Sequence, residues 1–157
     1  MIYKPAEVSF RKGVQAMKSN QTEAMAFFEA SLLLDSRAQK SSGQPRYRSY
    51  YGLCLSSTKG KMKEALKLCR KACEDEFYNY EVWFNLGKVE HEAGNRHKAH
   101  KALVRALRLS PSKAEIKEEL KRLGLRRPPV FSFLSRDHFL NRIIGRMTYR
   151  KPPRGQR

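Results

Sequence analysis

The side chains that could do covalent or metal chemistry in these 157 residues are few. Cys69 and Cys73 stand four apart and His97 and His100 three apart, spacings that put each pair on one face of a helix. With Cys54 they are the obvious candidates for a metal site. Yet neither a Cys-x-x-Cys nor a His-Glu-x-x-His arrangement occurs, and a closed tetrahedral site needs ligands of that kind. Three cysteines are also too few, and odd in number, for a disulfide framework. Small buried thiols are the expected reading. His91, His97, His100 and His138 have no serine or cysteine nucleophile motif beside them, and Glu90 and Glu92 flank His91 on different helix faces. No Gly-rich phosphate loop is present. The sequence therefore predicts no catalytic, cofactor or metal site, and surface histidines.

The charge is more informative. The formal net charge is +18, from 33 Lys and Arg against 15 Asp and Glu. Residues 121–157 hold eleven of those cations and one acidic residue, Asp137, so the end of the chain differs in kind from its body. No segment approaches the roughly 18 apolar residues of a membrane span, and Met1–Glu7 lacks the apolar stretch of a secretory signal. These features lead us to expect a cytoplasmic protein.

The elements that would position any binding side chain emerge from an internal repeat. Trp83, Leu86 and Gly87 are followed by Gly94-Asn95, then by Ala99, Leu103, Ala106 and Pro111. A glycine on a first helix admits a second helix closely, Gly94 supplies the tight turn, two alanines keep the second helix near, and proline stops it. An earlier copy has Gly60, Ala65 and Ala72, each 34 residues before its counterpart, and Tyr51-Gly52 with one extra residue before the turn. A looser copy uses Gly13, Ser19-Asn20, Ala24, Phe28 and Ser31. Residues 35–45, rich in polar residues with Gly and Pro, read as a loop between the first two copies. Ile116, Leu120 and Leu123 make one apolar stripe on an otherwise charged segment, as a terminal cap requires.

This pattern resembles the tetratricopeptide repeat. The resemblance implies an all-α helix-turn-helix solenoid, a right-handed superhelix of three repeats at about 6–35, 46–79 and 80–113. A cap helix at 113–123 completes a domain of residues 1–124. It further implies a non-enzymatic scaffold for protein–protein interaction, in which the first helices line a concave groove for a peptide or protein partner. Mapped by helical phase, that groove presents Phe10, Val14, Met17, Ser49, Leu53, Ser56, Phe84, Lys88 and His91. One subclass of the family grips carboxylates with Lys, Asn and Arg across three repeats. Arg11, Lys12, Asn85 and Lys88 are available for that here, but Tyr51 stands where the pattern has Asn.

Residues 125–157 form a basic extension outside the repeats. Arg126-Arg127-Pro128-Pro129 enforces extended geometry. Beyond it, Phe131 and Phe133 precede an amphipathic segment over 136–149 whose apolar stripe includes Phe139, Ile143 and Met147. Four fates are open to this extension: self-interaction with the groove, docking to a protein, an electrostatic tether to an anionic membrane surface, or binding of nucleic acid.

Overall fold

The structure is a computed structural model that describes residues 5–37 and 44–124, together with Ile143. The chain divides into two units at Gly124, and the first contains every helix discussed below. Among the described residues it is all-α. Its helices are α1 (Pro5–Ala16), α2 (Gln21–Arg37), α3 (Gln44–Lys59), α4 (Met62–Asp75), α5 (Tyr80–Glu92), α6 (Arg96–Leu109) and α7 (Ala114–Arg122). None is long and apolar enough to cross a membrane.

The helices pack as antiparallel-type pairs, α1 with α2, α3 with α4 and α5 with α6, and α7 packs on α6. Glycine explains how closely each pair approaches. A β-carbon on Gly13 would lie 2.6 Å from the Phe28 ring, on Gly52 2.9 Å from Cys69 Sγ, and on Gly87 2.6 Å from the Leu103 side chain. The three positions are equivalent, so one steric device builds all three hairpins. Gly60 and Gly94 do something else. Nothing crowds them, but their φ angles of +62° and +76° suit only the turn between helices.

The apolar faces follow the spacing of each second helix. On α4, Ala65, Cys69, Ala72 and Cys73 are buried, and on α6 Ala99, Ala102, Leu103 and Ala106. An aromatic cluster joins the first repeat to the second, with the Phe10 ring centroid 5.5 Å from Phe28, 4.9 Å from Tyr47 and 5.1 Å from Tyr50. Burying each such ring contributes about 2–3 kcal/mol. Ile116, Leu120 and Leu123 are buried on the cap as expected, and Gly124 follows α7 with φ +64°.

The loop between the first two repeats is shorter than the composition suggests. Asp35, Ser36 and Arg37 belong to α2, while Gln44 and Pro45 open α3. Proline is well placed in a first turn, where its missing N–H has no helical partner to lose. Asn20 likewise starts α2, its Oδ1 accepting from the Thr22 and Glu23 amides at 3.1 and 3.2 Å.

Candidate partner-binding groove

Helix α3 packs on α5 as well as on α2 and α4, whereas the even helices make no comparable contact with one another. Helices α3 and α5 therefore lie together on the inner side of the stack, while α4 and α6 stand apart on its outer side. Polar links join the odd helices along the inner side. Tyr47 Oη donates to Glu7 Oε2 at 3.0 Å, and Arg46 pairs through Nε and Nη2 with the Glu81 carboxylate. Asn85 Nδ2 donates to Ser49 Oγ at 3.1 Å, and Ser56 Oγ bonds Glu92 Oε2. His91 Nδ1 lies 3.0 Å from Glu119 Oε1 on the cap helix.

These links divide the nine residues expected on the groove by depth. Phe10, Ser49, Leu53 and Ser56 are buried. Phe10 is enclosed by the aromatic cluster, and the two serines turn their hydroxyls onto backbone carbonyls of Arg46 and Leu53. The cause is the central position of α3, which is packed from both sides. Val14, Met17, Phe84, Lys88 and His91 keep exposed or half-exposed surface. His91 is not a freely solvated histidine, since Glu119 faces its ring. Lys88 Nζ stands 5.6 Å above the Phe84 ring.

At the α1–α3 end lies a recess of about 370 Å³ lined by Glu7, Phe10, Arg11, Val14, Gln15 and Arg46. Phe10 gives it an aromatic floor. The Arg46 guanidinium lies 4.4 Å from that ring's centroid, a cation–π contact. Burial works against the Arg46 charge, but Glu81 outweighs it and raises the pKa. Burial, then the bond to Glu7, pushes the Tyr47 hydroxyl up to about 12. Arg46, Glu81, Glu7 and Glu92 were not among the residues expected from helical phase. Their signal was the spacing of complementary residues by about one repeat, as in Arg46 with Glu81 and Ser56 with Glu92.

The carboxylate-gripping arrangement is not assembled. Asn85 is buried and committed to Ser49, and Tyr51 packs against the core. The thiols are unsuited to nucleophilic chemistry, because burial raises Cys54 to about 11, Cys73 to about 12 and Cys69 further still. No group of three His, Cys, Asp or Glu side chains among the described residues could hold a metal. Of the extension, Phe131, Phe133, Phe139 and Met147 lie outside the described residues, while Ile143 is described and half-exposed.

Comparison with known proteins bears on the repeat directly. The family model of the tetratricopeptide repeat matches residues 80–113. No curated protein sequence matches the chain. Solved structures do. The Arabidopsis OM64 TPR domain has a TM-score of 0.58 at 22% identity, over 76% of this chain and 93% of that one. The first TPR of Spaghetti (RPAP3), bound to the HSP90 peptide SRMEEVD, scores 0.58 at 20% identity, over 75% of this chain and 89% of that one. The UNC-45 chaperone scores 0.58 at 24% identity over 75% of this chain, which spans only 13% of that protein. Residues 80–113 are thus matched as a tetratricopeptide repeat, Gly13, Gly52 and Gly87 stand at equivalent places in the three hairpins, and the described stack has the fold of TPR domains.

Proposed function

We propose that the protein is a non-enzymatic scaffold that holds a peptide segment of a partner protein along the inner side of its odd helices. The observation that supports this most is the α1–α3 recess, where an aromatic floor, an exposed Val14 and the Arg11 and Arg46 guanidinium groups face one space. An apolar side chain of the partner would enter beside Val14, and its polar backbone would meet Arg11 and Arg46, which already pair with Glu7 and Glu81. Lys88 and His91, further along on α5, extend the same surface with positive or neutral polar groups. The Spaghetti domain holding a peptide is a structural precedent for occupancy of such a stack. Because Asn85 is interior, the grip relies on the recess and not on a three-repeat carboxylate clamp.

A displayed random-peptide library selected against the full chain tests this. Selected peptides should bind Val14→Asp and Lys88→Glu variants about tenfold more weakly than the parent, with unchanged helical circular dichroism. If both variants bind the peptides as the parent does, the groove is not the site.

A further inference from the structure

The outer side of the stack carries a second surface with its own chemistry. From Ala93 to Ala114 there is no acidic residue, while Arg96, Lys98, Lys101, Arg105, Arg108 and Lys113 are all basic. Lys98, Lys101, Arg105 and Arg108 follow a 3-4-3 spacing and form one stripe along α6. At 1.5 Å rise per residue the stripe is about 15 Å long. None of these four is ion-paired among the described residues, whereas Arg70 and Lys71 of α4 have carboxylate partners.

Beside the stripe lies a recess of about 540 Å³ lined by Trp83, His100, Lys101, Val104, Arg105, Arg108 and Leu109. Arg105 is stacked there, its guanidinium 3.6 Å from the Phe77 ring centroid and 4.9 Å from that of Trp83. Its Nε is buried and has no acceptor. Phe77 in turn meets Tyr78 edge-on at 5.1 Å, and Tyr78 is 84% exposed, a large aromatic ring presented to solvent at the rim of a cationic surface. Of the acidic residues near Tyr78 in sequence, Glu74 and Asp75 are paired with Lys71, Asp75 also with Arg48, and Glu81 with Arg46, while one carboxylate oxygen of Glu76 is buried without a hydrogen-bond partner.

We infer that this outer face binds single-stranded nucleic acid, with phosphates along the α6 stripe and a base stacked on Tyr78. A phosphate would meet the guanidinium of Arg105 from the recess that it lines with Lys101 and Arg108. Unpaired cations in a row beside exposed rings are what a sequence-tolerant single-strand site combines. An acidic peptide would use the cations but leave Tyr78 unexplained, and a bilayer would favour a flat apolar face over a recess walled by charge.

The test uses the full chain and a fluorescein-labelled oligouridine, read by anisotropy across a salt series. Lys101 and Arg108 are exposed, so Lys101→Glu with Arg108→Glu should preserve the fold, as circular dichroism would check. That double variant should weaken binding about tenfold or more and flatten the salt dependence by about one and a half counterions. Tyr78→Ala should weaken binding about fivefold at an unchanged salt slope, and Tyr78→Phe should restore it. Unchanged binding in the charge variant would overturn the assignment and move any affinity to residues 125–157. A silent Tyr78→Ala, with poly-glutamate competing as well as oligouridine, would make the face an acidic-protein site instead. Preference for equimolar phosphatidylserine–phosphatidylcholine vesicles over oligouridine would equally overturn it.

Discussion

Asn85 on α5 donates its side-chain amide to the hydroxyl of Ser49 on α3, both residues being buried between the second and third repeats. Ser49 is a meeting point of three helices, because its backbone carbonyl also faces the Cys69 thiol of α4 at 3.5 Å. Asn85→Ala would remove the amide and leave a small void at this junction. We expect a loss of about 1–3 kcal/mol, the ordinary cost of a broken buried hydrogen bond, seen as a lower urea midpoint with an unchanged slope. Asn85→Ala should leave binding of groove-selected peptides intact, since the side chain does not reach the surface.

Gly87→Ala sets two effects against each other. Alanine favours a helix over glycine by about 1 kcal/mol, but its methyl would meet Leu103, itself fully buried, at 2.6 Å. Overpacking of this kind costs about 1–3 kcal/mol, so net destabilisation is expected. In a Leu103→Ala background the clash is gone and Gly87→Ala should become neutral or stabilising. Additive behaviour of the two changes in thermal melts would show that the hairpin is not held by this contact.

Glu90 is almost wholly enclosed, yet it accepts from Arg70 Nε and Nη2 at 3.0 and 2.6 Å and from Asn95 Nδ2 at 2.7 Å. It ties α4 to the α5–α6 turn. Arg70→Met strands a buried carboxylate, which costs about 3–5 kcal/mol in a dry site; with Arg70 half-exposed, about 2 kcal/mol is expected. Adding Glu90→Gln should recover part of that loss. Equal stability of Arg70→Met and the parent in chemical denaturation would contradict the reading.

Alkaline pH should unfold the protein through its thiols. Cys54 and Cys73 titrate near 11 and 12, against an ordinary 9.0, chiefly because burial penalises the thiolate. The unfolded thiols ionise first, so the unfolded state binds fewer protons between those values. This contribution to stability is complete below pH 9 and declines as pH rises through 11 and 12. Urea midpoints should therefore drop between about pH 8 and about pH 10.5, and Cys73→Ala should reduce that drop. Tyr47, raised from 10.0 to about 12, acts in the same direction.

Much of the architecture is legible from spacing. Gly60 with Gly94, Ala65 with Ala99 and Ala72 with Ala106 are each 34 residues apart, and each pair occupies equivalent places in the structure. Glycine, alanine and proline leave such clear marks because their effects are local: a missing side chain, a turn, a stopped helix. The edges of the loop near residue 40 were less legible, because Ser36, Arg37 and Pro45 are tolerated at helix ends as well as in loops.

For the groove, helical phase assigned a side to each residue and nothing more. Val14 and Leu53 follow the equivalent glycines Gly13 and Gly52 on α1 and α3, yet one is exposed and the other buried. The difference is that α3 is flanked by helices on both sides and α1 ends the stack. Sequence alone thus determined the repeat, its period and its close-packed glycines, since each follows from the stereochemistry of single residues. Only the tertiary structure decided depth and pairing, setting Asn85 on Ser49 and Arg46 on Glu81, and leaving Lys98, Lys101, Arg105 and Arg108 of α6 without carboxylate partners among the described residues. Those outcomes depend on which helices become neighbours, and that is a property of the whole stack.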